Sequence, residues 1–372
     1  MKNSVRVMAL LGVVALAAAG CGSKPSSSGT SSSAAAPASS AASSAPASSA
    51  AAALNACMVL DVGGVDDRSF NESAWKGMTD AKAANSAISI SYVSSSSQND
   101  YTPNLNAEVA KGCNTTIAVG GLMTDALKAV ATANPTKQFA IIDSATGQPN
   151  VYGIQFNTAQ GAFLGGYLAA AITKTGKVAT FGGLNIPPVT IYMDGFWEGV
   201  QYYNKVKGKS VQVLGWNEKD QKAGTFANSF TDQGKGRQVS QAFIQQGADV
   251  IFPVAGGTGL GAGAAAAASG GKVSVLWVDT DGCISAPQYC PYFVSSVVKN
   301  IAKAVTTYVT GAASGSYPTG SYIGTLANDG TGLAPFHDWA SKVPASVQSE
   351  LDQIKQQIIS GAIPITSPSQ PK

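Results

Sequence analysis

Short apolar runs that alternate with helical patterns constrain this chain more than any other feature. MVLDV, ISISYV, TTIAVG, FAIID and YGIQF read as strands in the first half, and KVATFGG, VQVLGW, DVIFPVAG and VSVLWVD in the second. Stretches such as SFNESAWKGMTDAKAAN and TAQGAFLGGYLAAAITK lie between them and carry helical spacing. Strand–helix alternation of this kind builds parallel sheets covered on both faces. Two such sets predict two doubly wound α/β domains, and 372 residues suffice for two cores. The helix at 158–174 is apolar nearly all round, which predicts burial and a first crossing between the domains. Its glycines and its length argue against a membrane span. Near the end, Val347, Leu351, Ile354 and Ile358 form one helical stripe closed by Gly361, the pattern of a packing helix.

The first 53 residues belong to neither set. MKNSVR is a basic leader, and MALLGVVALAAAG is an apolar stretch of 13 residues, too short to span as a helix. It ends on small residues directly before Cys21, which resembles a bacterial lipobox. Residues 1–20 are then a lipoprotein signal peptide, with lipid on Cys21. An ordinary signal peptide beside an incidental cysteine is the plainer alternative. Residues 21–53 are almost wholly Ser, Ala, Pro and Gly and offer no side chain that could offset ordering entropy, so they read as a flexible tether. Without Lys2 and Arg6, twenty-two basic residues face twenty-one acids. That balance gives no basic face for nucleic acid and no polybasic membrane patch.

Four cysteines remain: Cys57, Cys113, Cys283 and Cys290. An even number in an exported chain predicts two disulfides with three possible connectivities. Cys283 and Cys290 flank one short loop. Cys57 and Cys113 each precede an apolar run, and adjacent parallel strands would bring them to one sheet edge. These considerations favour Cys57–Cys113 and Cys283–Cys290. Zinc is the competing use, but paired C-x-x-C spacing is missing and His337 is the one histidine.

Four groups could carry chemistry. The first is DVGGVDDRSFN, where a strand gives way to a helix. Ser69 and Glu72 stand in the relation of a capping box, which makes Phe70 and Asn71 the first helical residues. Open α/β sheets bind ligands at the carboxyl ends of strands. Phe70, Asn71 and Asp61 therefore fall at the mouth of a cleft. Helix capping by Asp66 and Asp67, with Phe70 as a staple, is the structural alternative. The second is Gly257, Gly259 and Ala262 after a strand, with Asp279 further on, the form of a dinucleotide fingerprint. It supports a NAD-dependent enzyme as a rival reading; close backbone approach at Gly257 to any ligand serves as well. The third is Asp125, Asp279, Asp281 and Lys299 after predicted strands, groups suited to sugar hydroxyls. The fourth is Phe230, an apolar ring in a polar loop before a helix that Asp232 could cap. Phe196 is its rival and reads as core. No H-E-x-x-H, G-x-S-x-G or P-loop is present.

These residues lie in stretches that resemble the basic membrane protein family of ABC transporter substrate-binding lipoproteins, several of them purine nucleoside receptors. The matching strings include DVGGVDDRSFNESAWKG, GGLMTDAL, GGLNIPPVTIYMDGFWEGV, QGADVIFPVAGGTGLG, VDTDG and SSVVKN, in family order from about Leu54 onward. The resemblance implies a type I periplasmic-binding fold of two lobes with crossover hinges. Residues 54–157 with about 285–315 form the N-terminal lobe, and 158–284 with about 316–372 the C-terminal lobe. It implies no catalysis, no cofactor and no metal. A purine would be sandwiched between Phe70 and Phe230, with Asn71 and Asp125 as polar ligands, Asp279 and Lys299 on the ribose, and Gly257 at the close-approach turn. The implied partners are a small-molecule ligand, an ABC permease and the membrane through Cys21, with the protein a monomer. Two features depart from the family pattern: Gly282 replaces a common glutamine, and the CISAPQYC loop is longer.

Overall fold

The structure, a computed structural model, describes residues 53–371. The leader, Cys21 and the tether up to residue 52 lie outside the described residues.

The chain begins with β1 (Leu54–Leu60), α1 (Phe70–Ala84), β2 (Ile88–Ser94), α2 (Tyr101–Ala110), β3 (Thr115–Val119), α3 (Thr124–Ala133), β4 (Gln138–Ile142) and β5 (Val151–Phe156). It continues with α4 (Ala159–Ile172), β6 (Lys177–Gly182), α5 (Pro187–Lys207), β7 (Gln212–Leu214), α6 (Gln233–Gln245), β8 (Val250–Val254), α7 (Leu260–Ala268), β9 (Ser274–Asp279), α8 (Gly282–Ser285) and β10 (Phe293–Lys299). Last come α9 (Ile301–Ala313), β11 (Ser321–Gly324), β12 (Thr331–Leu333) and α10 (Ala345–Ile359). All nine runs predicted as strands are strands.

The strands form two six-stranded sheets, ordered β11-β5-β4-β3-β1-β2 and β12-β10-β9-β8-β6-β7. Every neighbouring pair is parallel except β10 with β12, an antiparallel edge. The strands carry continuous apolar runs because helices cover both faces. On the first sheet, α1 and α9 bury Met78, Val305 and Val309 against Met58 and Leu60. On the second, α4 packs along α5, and Gly166 and Gly199 have no side chain where the two backbones meet. This is why α4 is apolar all round: it is enclosed by α5, the second sheet and α10. The stripe of α10 packs into the same core.

The chain crosses between lobes three times, after Phe156, after Lys299 and after Gly324. In the return segment β10 pairs with β9, so residues 293–299 belong to the second lobe, and α9 with β11 belong to the first. The expected boundaries of about 285–315 and 316–372 therefore shift, the return running from 301 to 324. Lys299 is the last residue of a central strand and stands at the second crossing.

Both favoured disulfides form. Cys57–Cys113 joins β1 to the entry of β3, and Cys283–Cys290 closes the short loop. No helix among the described residues is long and apolar enough to cross a membrane.

Candidate functional site

In each sheet the chain turns from β1 to β2 on one side and to β3 on the other, or from β6 to β7 and to β8. The strand tips at such a reversal leave a crevice. The two crevices face each other, and a cavity lies between them with about 60 Å³ open to water centres. One water needs only ~10–15 Å³ by this measure, so a small organic molecule is the natural occupant.

The first lobe contributes Asp61, Asp67, Phe70 and Asn71. The Ser69–Glu72 capping box does not form. Asp67 caps α1 instead: its carboxylate accepts from the backbone N–H groups of Ser69 (3.0 Å), Asn71 (2.8 Å) and Glu72 (3.1 Å). Burial pushes Asp67 up to about 7 against the pull of these amides. Asn71 donates its Nδ2 to Asp61 (2.7 Å) and to Asp67 (3.1 Å). That fixes the amide, and its Oδ1 is left buried without a partner in the cavity wall. Asp61 also accepts from Gly63 N–H (2.9 Å), yet burial holds its carboxyl above the usual range.

The freed Ser69 hydroxyl reaches the other lobe. It donates to Asp279 Oδ2 (2.8 Å), while Trp277 Nε1 and the Thr280 hydroxyl donate to the Arg68 carbonyl. Tyr192 on α5 donates to the other oxygen of Asp279 (2.7 Å), and burial, then the Asp279 charge, drives the phenol far above its ordinary range. Asp279 sits at the tip of β9 with φ 64°, and Asp143 holds the same place after β4 with φ 67°. The two acids converge on Lys299, whose Nζ lies 2.7 Å from Asp143 and 3.8 Å from Asp279. Burial raises Asp143, and Lys299 pulls it back down. Three rings enclose the ammonium, with centroids at 4.9 Å (Phe70), 5.4 Å (Tyr192) and 5.7 Å (Phe156).

Phe230 enters from the second lobe. Its carbonyl accepts from Thr258 N–H (3.0 Å), and its ring packs against Gly183 after β6. A Cβ at Gly183 would meet that ring at 2.2 Å, so only glycine seats it. Asp232 caps α6 as expected, through Lys235 N–H (3.0 Å). Phe196 is fully buried in the core.

Of the sequence-predicted ligand residues, Asp61, Phe70, Asn71, Phe230, Asp279 and Lys299 line the one cavity. Asp125 does not. It lies in the first turn of α3, beyond the turn at 121–123, and is exposed. Gly257 does not line the cavity either: it packs against the Phe230 carbonyl and Asp67, and its neighbour Gly256 forms the wall. Sequence reading missed Asp143 and Tyr192. Asp143 carried a signal, since FAIID ends in an acid at the strand tip as VSVLWVD does. Tyr192, inside an amphipathic helix, carried none. Gly282 is explained by packing: a Cβ there would meet Phe293 at 2.6 Å and Trp277 at 2.8 Å. It is not a cavity residue. Beside it, Asp281 caps α8 and pairs with His337 at 2.7 Å.

Two parallel-sheet lobes, three crossings and a ligand-sized cavity between opposing strand tips define a solute-binding protein of the type I periplasmic-binding fold. The chain belongs to the Bmp family, described as ABC transporter substrate-binding protein PnrA-like, which it matches over residues 54–368. It is 34% identical over 325 residues to the CD4+ T-cell-stimulating antigen of Listeria monocytogenes, covering 83% of this chain and 87% of that one. It is 28% identical over 336 residues to the ABC transporter nucleoside-binding protein BmpA of Lactococcus lactis, covering 84% and 89%. A solved solute-binding protein of an Aeropyrum pernix ABC transporter system superposes with a TM-score of 0.77 at 25% identity, over 85% of this chain and 94% of that one. The family is one of transport receptors and not of enzymes, which replaces the dinucleotide reading of Gly257, Gly259 and Ala262.

Proposed function

We propose that this protein is a lipid-anchored extracytoplasmic receptor that binds a purine nucleoside between its lobes and hands it to an ABC permease. The observation that carries the reading is the pairing of Phe70 and Phe230, one ring from each lobe, on a cavity that holds four carboxylates and a single ammonium. A flat base stacks on the rings. The unpartnered Asn71 Oδ1 accepts from a base N–H, which relieves a buried unsatisfied oxygen. Sugar hydroxyls suit the other end, where Asp143, Asp279 and Lys299 offer acceptors and a donor. The nucleoside-binding relative from Lactococcus lactis supports the ligand class, and the lipobox-like sequence before Cys21 supports the anchor. Because Ser69 reaches Asp279 only across the closed cleft, lobe closure and ligand capture are one event, and the closed shape is what a permease can recognise.

Calorimetry tests the ligand class. The protein is unfolded to release carried-over ligand, refolded, and titrated with inosine, guanosine, adenosine, cytidine and ribose. Purine nucleosides bind tightly and ribose weakly if the rings supply the affinity. Heat with ribose and none with nucleosides would replace this reading with a sugar receptor.

A further inference from the structure

A second cavity adjoins the first beside the hinge, with about 560 Å³ open to water centres. The two share Gly121, Leu122, Asp143, Ile186 and Pro188 as common walls, so they adjoin at the Asp143 end of the site. The first lobe supplies Thr124, Ser144 and Ala145, and the second supplies the start of α5. The remaining wall is the C-terminal strap, residues 366–371. Thr366 N–H donates to Glu198 (2.8 Å), the Ser367 hydroxyl donates to buried Asp194 (2.6 Å), Ser369 and Thr190 share a hydroxyl contact (2.8 Å), and Asn157 at the first crossing donates to Gln370 (2.8 Å). These bonds fix Pro368 and Pro371 over the hinge side of the cleft, so the space is walled by tethered backbone.

The boundary between the cavities includes bare backbone at Gly121. A Cβ on Gly121 would come within 3.1 Å of the Asp143 carbonyl and 3.5 Å of Pro188 in the other lobe. The lining of the second cavity is apolar or neutral. Among the described residues its one charge is the Asp143 carboxylate, and Lys299 already binds that group.

We infer that this space is a substituent pocket, and that the protein accepts nucleosides carrying an uncharged extension at the outer carbon of the sugar while rejecting nucleotides. This deepens the nucleoside reading and rests on it. A hydroxyl, thioether or alkyl extension passes Gly121 and meets prolines, Ile191 and the Thr124 and Ser144 hydroxyls. A phosphate in the same place meets the Asp143 carboxylate and, among the described residues, no cation but Lys299, which that carboxylate already holds, so like charge repels it.

The test uses three ligands on the purified protein: the best-bound nucleoside, its 5′-deoxy-5′-alkylthio derivative and its 5′-monophosphate. The alkylthio compound is expected to bind within about threefold of the parent, and the monophosphate at least about a hundredfold more weakly. Ala145→Trp, at an exposed position that lines only the second cavity, is expected to weaken the alkylthio compound about tenfold and leave the parent unchanged. Parent binding at full strength, with the alkylthio compound rejected as firmly as the phosphate, would overturn the pocket alone. So would an Ala145→Trp variant that does not distinguish parent from derivative. No binding of any nucleoside would overturn the reading beneath it as well.

Discussion

Lys299→Met isolates the electrostatic problem at the centre of this site. Lys299 is the single cation among the residues lining a cavity that also holds Asp61, Asp67, Asp143 and Asp279. Its side chain is 3% exposed, so solvent cannot replace it. Across 2.7 Å to Asp143 and 3.8 Å to Asp279, unit charges attract by roughly 6 and 4 kcal/mol at an effective dielectric of about 20. Much of that offsets the cost of burying the three groups. Removing one partner from such a cluster strands the others, and the net loss is about 3–5 kcal/mol. Methionine keeps the apolar stem against the three rings, so packing changes little. Urea denaturation followed by tryptophan fluorescence, without ligand, from pH 5 to 8, measures the difference. The sign follows from Asp143. Burial already raises it, and the variant loses the Lys299 pull that lowers it. Its folded-state proton therefore stabilises the variant fully below the unfolded carboxylate value of about 3.9, and that stabilisation is lost as pH rises through the raised folded value. The gap between the two proteins is widest at pH 8 and narrows toward pH 5. A gap that is absent at pH 8, or equal at both ends, would refute the reasoning.

Phe70→Ala and Phe230→Ala each remove one stacking face and should weaken nucleoside binding by about 1–3 kcal/mol, read by calorimetry, with the melting temperature of the unliganded Phe230 variant little changed. The two disulfides differ in the loops they close, with sequence separations of 56 and 7. Chain entropy then assigns a loss of about 4 kcal/mol to the Cys57/Cys113 double alanine variant and about 2.5 kcal/mol to Cys283/Cys290, measurable by denaturation. Burial, then the nearby Glu198 and Asp194, pushes Glu218 up to about 7 beneath the strap. The proton it holds stabilises the fold below its unfolded value and is lost as pH rises through about 7. Hydrogen exchange at Thr366, corrected for intrinsic rate, should therefore accelerate between pH 6 and 8 in the parent and stay level in Glu218→Gln.

Local pattern made the strands, the two-lobed fold and much of the cavity lining legible, because apolar runs and strand-tip acids are written within a few residues of each other. Ser69 shows where local pattern stops. Its spacing to Glu72 matches a capping box, but Asp67 is nearer the first-turn amides in the folded chain and Asp279 claims the hydroxyl from another lobe. Asp125 failed for a similar reason: three residues of extra turn after β3 carry it past the cleft, whereas Asp143 follows its strand directly. The lobe assignment of β10 depended on which sheet edge was free, and no window of sequence holds that information. Tyr192 was invisible because a buried tyrosine on an amphipathic helix looks the same whether it packs or aims a carboxylate.

The three crossings also set an order of synthesis. A chain that emerges N-terminus first has β1 to β5 early, but α9, which covers β1 alongside α1, and the edge strand β11 lie beyond residue 300. Met58 and Leu60 are buried against α9 residues, so the first sheet keeps an apolar face uncovered while α4 to β10 of the second lobe are still being made. The second lobe likewise waits for β12 and α10. Both lobes are completed by the last stretch of polypeptide, which makes the late chain the common gate to folding and leaves the unfinished precursor dependent on whatever shields exposed apolar surface before release.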